Sequence, residues 1–124
     1  MKNEKQVKRL QNLLKLPVTR FEPIGFDIEV YFNNQKLGKL DREVLDDSFT
    51  EEKLKLERFS WYPIYNHFRK EIDGLIIQNF GDEMDIVQYT NRTLLLKPKS
   101  DGELKYTIKV SFDNEWAVEE IQEH

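Results

Sequence analysis

Residues 103–112 alternate without a break: Leu104, Tyr106, Ile108, Val110 and Phe112 are separated by Lys105, Thr107, Lys109 and Ser111. Successive side chains of an extended strand point to opposite faces, so this segment makes a strand with one apolar and one polar face. A strand of this kind cannot bury its apolar face alone. It needs paired neighbours and a covering layer. The flanking sequence offers both connections. Lys99-Ser100-Asp101-Gly102 is a turn signal before it and Asp113-Asn114 another after it. With candidate strands at 84–89, 94–98 and 115–121, the last third of the chain reads as a meander. Pro98 belongs at a strand end, because it has no amide to donate.

The first half is built from similar pieces. Val7, Leu10, Leu13 and Leu14 recur at helical spacing opposite Lys5, Lys8, Arg9 and Asn12. Asn3 is the expected cap, with Gln6 three residues on, and Pro17 marks the exit. A helix of about 12 residues needs packing to persist. Residues 17–25, with Pro17, Pro23 and Gly25, read as a connection. Residues 26–32 alternate and place Phe26, Ile28, Val30 and Phe32 inward. Asn33-Asn34 suits a tight turn, and a short return strand runs from Leu37 to Leu40. In 41–62, Ser48-Phe49-Thr50-Glu51 fits a capping box and starts a short helix or irregular loop near Phe49. A second main helix begins at Pro63, carries Ile64, Phe68, Ile72, Leu75 and Ile76 on one face, and closes on Gly81. Gly74 inside it is unfavourable by about 1 kcal/mol relative to Ala, which points to a close contact there.

These pieces predict one α+β domain spanning 1–124. The expected architecture is a single antiparallel sheet of about five to six strands with two main helices packed on one face. A chain of 124 residues buries roughly two-thirds of its unfolded surface. Its 39% hydrophobic residues, eight Phe among them, can fill a core without staples.

Composition excludes several chemistries. There is no cysteine, hence no disulfide, thiolate ligand or Cys nucleophile. No apolar run reaches the about 7–15 residues of a signal peptide or the about 20 of a membrane span, so a cytoplasmic location without membrane contact is expected. The five glycines are dispersed, with no phosphate-cradling loop. None of the four serines sits in a nucleophile motif. His67 is the sole internal histidine, one residue off the apolar stripe, with no nucleophile or orienting acid at a telling spacing. A partly exposed helix histidine is the simpler reading, and His124 is expected to fray. Asn91-Arg92-Thr93 reads as a turn. No catalytic residue, metal site or cofactor is expected.

Charge is uneven. Residues 1–20 hold six bases and one acid, whereas 101–124 hold seven acids and two bases, within an overall net of −4. The basic first helix suggests phosphate contacts, but an isoelectric point near 5.3 and the lack of a recognition motif argue for a solvated face and against a nucleic-acid partner. Acids cluster at Asp46-Asp47 with Glu51-Glu52 and at Asp82-Glu83-Asp85. Neither group has the spacing of a calcium loop, and a pair of carboxylates for glycoside hydrolysis would need a sugar-sized cleft. Around the second helix, Phe59-Ser60-Trp61-Tyr62-Pro63-Ile64-Tyr65 is dense in aromatics. Phe59, Phe68 and Trp61 suit a core, while Tyr62 and Tyr65 lie off the stripe and suit an interface.

The late meander, Tyr106-Thr107-Ile108-Lys109-Val110-Ser111-Phe112-Asp113 turning into Trp116-Ala117-Val118-Glu119-Glu120-Ile121, together with the acid surplus, resembles in general character the small acidic immunity proteins of bacterial polymorphic-toxin systems. The similarity covers roughly the last third of the chain. It implies a cytosolic α+β domain without catalytic residues, and the acidic surface suits a protein partner such as a basic toxin domain. The expected function is thus a non-enzymatic protein-binding module, an inhibitor that neutralises a toxin by binding it. Its candidate contacts are Tyr62, Tyr65, Asp46, Asp47, Glu51, Glu52, Asp82, Glu83 and Asp85. The alternative is a small enzyme or small-ligand-binding protein with a site assembled from dispersed residues. A third reading is a subunit that pairs with itself. The sequence leaves the oligomeric state open.

Overall fold

In a computed structural model, residues 2–56, 60–61 and 64–124 are described, with the side chains of 4–54 and 64–124. The chain forms two compact units, Met1–Tyr62 and Pro63–His124. Each carries its own antiparallel four-stranded sheet, and the structure is α+β throughout. The single sheet of five to six strands is therefore corrected to two. Alternation in the sequence sets which side of a strand is apolar, but not which strand it pairs with, and the early strands pair among themselves.

In the first unit, helix α1 (Lys2–Leu14) starts one residue ahead of the expected Asn3 cap. Its apolar stripe ends on the buried Leu10 and Leu14, and Leu16 and Val18 continue the core just past it. Strand β1 (Arg20–Ile24) occupies most of the segment expected to be a connection. It is an outer strand, which is why Pro23 is tolerated opposite Ile28. Strand β2 (Asp27–Phe32) follows through a two-residue loop. Gly25 takes φ +60° there, the first position of a II′ hairpin. The loop displaces Phe26 from the pleat. Expected inward, it is 91% exposed, while Ile28 and Val30 are fully buried as expected. Asn33 turns the chain at φ +53° into β3 (Gln35–Asp41), where Leu37 and Leu40 are buried.

Between 41 and 61, the described residues form more pieces than expected. A 3-10 turn, Arg42–Leu45, is capped by Asp41, which accepts from the Glu43 amide at 2.9 Å. Helix α2 (Glu51–Leu56) begins after Thr50, not at Ser48. Thr50 Oγ1 accepts from the Lys53 amide, and Ser48 is engaged by Asp46 instead. The two-residue β4 (Ser60–Trp61) pairs with β3. Arg9, expected on the solvated face of α1, reaches the carbonyls of Val44 and Phe49 at 3.2 and 2.9 Å. It therefore ties α1 to the turn and to the approach to α2.

In the second unit the expected long helix is broken in two. Helices α3 (Ile64–His67) and α4 (Arg69–Phe80) meet at Phe68, whose φ −128° and ψ 34° leave the helical region. The hydrogen bonds from Phe68 to Ile64 and from Ile72 to Phe68 nevertheless carry the stripe across the break. Ile64, Phe68, Ile72, Leu75 and Ile76 are all buried. Gly81 closes α4 at φ +75°, its amide on the Ile77 carbonyl. Gly74, expected to mark a close contact, has no atom within 4 Å of where a Cβ would stand.

The sheet runs β5 (Met84–Thr90), β6 (Thr93–Pro98), β7 (Tyr106–Asp113) and β8 (Glu115–Glu123) in meander order. Leu94, Leu96, Ile108 and Val110 are buried on its inner face. Aromatic pairs join helix and sheet: Phe68 with Trp116 at 5.0 Å and Phe80 with Tyr106 at 4.8 Å. Leu104, expected to face inward, is 38% exposed, because the strand begins only at Tyr106. His124, expected to fray, donates its amide to the Lys105 carbonyl at 2.8 Å.

Candidate functional site

The candidate side chains divide between the units. Asp46, Asp47, Glu51 and Glu52 lie in the first unit, all exposed. Asp46 is held in a local loop, accepting from the amide and hydroxyl of Ser48 at 2.9 Å each. Those two bonds hold its carboxyl below the ordinary carboxylate range. Glu51 lies 3.9 Å from Lys15. Tyr62 lies outside the described residues. None of these four acids lines the recess of the second unit.

The second unit gathers three of its four candidates and leaves Glu83 outside. Tyr65, Asp82 and Asp85 line a recess of about 320 Å³, together with Asp73, Tyr89 and Lys99 and an apolar lining of Ile76, Ile77, Met84 and Ile86. Local structure explains the convergence. Tyr65 on α3 and Asp73 on α4 meet across the break at Phe68. The Gly81 cap turns the chain sharply, so Asp82 and Asp85 follow the helix end directly into β5. Tyr89 sits further along β5. Glu83, three residues past Phe80, uses its carbonyl to receive the Lys99 amide at 2.8 Å.

Tyr65 is the most constrained member. Its hydroxyl donates to Asp73 Oδ1 at 2.7 Å. Its ring lies 5.0 Å from Tyr89, tilted by 50°, and the Arg69 guanidinium lies 5.3 Å from its centre. Tyr89 in turn donates to Asn66 Oδ1 at 3.0 Å. Burial, followed by the hydrogen bond to Asp73, pushes the Tyr65 hydroxyl up to about 12. Asp85 is 3.7 Å from Lys97. Unit two holds twelve acids against seven bases, a net of −5, while unit one holds eleven acids against twelve bases. The acid surplus of the chain therefore belongs to the second unit.

Among the described residues, no group of three or more His, Asp or Glu is arranged to hold a metal ion. His67 is half-buried at the end of α3 and does not line the recess. Two tyrosines beside carboxylates suit a different task, the holding of an organic cation such as a guanidinium or ammonium group. Of the residues expected from sequence, Tyr65, Asp82 and Asp85 line the recess, where Asp73 and Tyr89 join them. Asp73 carried no signal, because the break at Phe68 interrupts the helical spacing from Tyr65. Tyr89 carried none, since its place depends on how β5 lies beside the helices.

Arg92 was also missed. It is 9% exposed in the turn between β5 and β6, and donates to the Val110 carbonyl at 2.9 Å and to Glu119 at 2.8 Å. A turn arginine gives no sign of being buried until the sheet places it beside β8.

No protein-family model matches this chain, and no curated protein or solved structure matches it either. No helix among the described residues is long and apolar enough to cross a membrane.

Proposed function

We propose that the chain is a non-enzymatic protein-binding module that inhibits a basic protein by receiving its lysine or arginine side chains in the recess of the second unit. The observation that carries this reading is the convergence of Tyr65 and Tyr89 with Asp82 and Asp85. A cationic side chain there gains ring-face attraction, worth about 0.5–2 kcal/mol, and charge-assisted hydrogen bonds. The net −5 of the unit steers a basic partner toward it before contact. An inhibitor of the immunity type, neutralising a basic toxin domain in the bacterial cytoplasm, is the specific form this reading takes.

A second reading is favoured by one observation. The recess volume, about 320 Å³, falls at the lower end of small-ligand cavities, which run from about 300 Å³ upward. A small organic cation would use the same rings and carboxylates, in a site assembled from dispersed residues.

The immobilised full chain, exposed to native lysate at low and high salt, tests the first reading. The expected capture is a basic protein that is released as salt rises and is lost from an Asp82→Asn/Asp85→Asn variant. Retention of a neutral or acidic protein regardless of salt contradicts it.

A further inference from the structure

Strand β8 is one of the two edge strands of the second sheet and runs for nine residues. Every residue from 119 to 123 is exposed. Its ladder with β7 fixes which amides face outward. The His124 amide donates to Lys105, and Gln122 and Glu120 stand opposite Thr107 and Lys109. Amides alternate in direction along an antiparallel strand, so those of Ile121 and Glu123 point away from β7.

Two features show what this edge would accept. Ile121 stands opposite the buried Ile108 and so lies on the inner face, yet it is 50% exposed. It offers apolar surface beyond the last strand. Charges guard natural edges against unselective pairing, and those of β8, Glu115, Glu119, Glu120 and Glu123, are all of one sign. A bulge opposite Lys109 and Val110 leaves Glu119 as the extra residue, turned toward Arg92. The register past it is uninterrupted to Glu123. A second copy pairing antiparallel with Ile121 opposite Ile121 would set Glu119 beside Glu123, which is unfavourable. A basic extended segment would meet complementary charge.

We propose that β8 accepts an extended, lysine- or arginine-bearing segment of a protein partner as a fifth strand. The added strand would pair with the outward amides of Ile121 and Glu123, and an apolar side chain would cover Ile121. This rests on the reading of the chain as a binder of a basic protein, and it adds a second, backbone-directed contact to the recess.

The test uses the isotope-labelled full chain and two synthetic peptides of equal charge. One alternates lysine and valine; the other is the same peptide with its valine amides N-methylated, which removes its donors on one edge. The expected result is slowed exchange at the Ile121 and Glu123 amides with the first peptide, and binding about tenfold weaker with the second. Ile121→Pro, which deletes one outward amide at an edge position that tolerates proline, should weaken the first peptide comparably. Equal binding of both peptides overturns strand addition, and so does the absence of binding. Perturbation confined to Tyr65, Asp82 and Tyr89 overturns it while leaving the basic-partner reading intact. A captured partner that is not basic fails that reading separately.

Discussion

Tyr65 and Asp73, eight residues apart on two helices that meet at Phe68, are joined by a hydroxyl-to-carboxylate hydrogen bond of 2.7 Å. The bond ties α3 to α4 across the break and sets the wall of the recess. It also opposes ionisation of the phenol, because the phenolate would lie against the Asp73 carboxylate.

That opposition has a measurable pH signature. The folded Tyr65 holds its proton up to about 12, whereas an unfolded tyrosine releases it near about 10. The folded state therefore binds the proton more tightly. The resulting stability is complete below about pH 10 and is lost as pH rises toward 12. At neutral pH, Tyr65→Phe should cost about 0.5–1.5 kcal/mol by urea denaturation. The gap between wild type and variant should narrow through that alkaline window.

Arg92 should behave as a buried clasp. Arg92→Ala leaves the Val110 carbonyl and Glu119 without its guanidinium, with an expected loss of about 1–3 kcal/mol. Arg92→Lys should recover only part of this, because an ammonium lacks the planar fork. Equal stability of wild type and alanine variant by urea denaturation would contradict the clasp.

Gly74 gives a change of the opposite sign. A Cβ at this position meets no atom, so Gly74→Ala should raise stability by about 0.5–1 kcal/mol through helix propensity. Thermal denaturation checks it, with a higher midpoint expected. A lower midpoint would restore the close contact expected from sequence.

The β1–β2 hairpin separates two residues that the sequence treated alike. Ile28→Ala should cost about 2–5 kcal/mol, as core truncations do. Phe26→Ser should change stability by no more than about 0.5 kcal/mol. Chemical denaturation of the two variants side by side tests the placement of the turn at Gly25 and Phe26.

This pair also shows where sequence is informative. Alternation is a local property, so it correctly placed Ile28, Val30, Ile108 and Val110 in the core. It overran at Phe26 and Leu104, because an apolar residue in a turn continues the pattern without sharing the pleat. Strand partnership is non-local, and nothing in residues 26–40 distinguished pairing with 20–24 from pairing with the late meander. Pro23 and Gly25 read as a connection when one sits on an outer strand and the other in its hairpin. The acids at 82 and 85 were legible as a charged loop after a helix. Their meeting with Tyr65, Asp73 and Tyr89 depends on the helix break at Phe68 and the lie of β5, which no spacing encodes.

The central claim, that the recess receives a cationic side chain, is tested most directly by titrating the isotope-labelled chain with a short oligoarginine peptide and following its amide resonances. The expected result is saturable shifts at Tyr65, Ile77, Asp82, Ile86 and Tyr89 that weaken with salt and are abolished in the Asp82→Asn/Asp85→Asn variant. Shifts centred on Glu51 and Glu52, or shifts at the recess that persist unchanged in that variant, would contradict it.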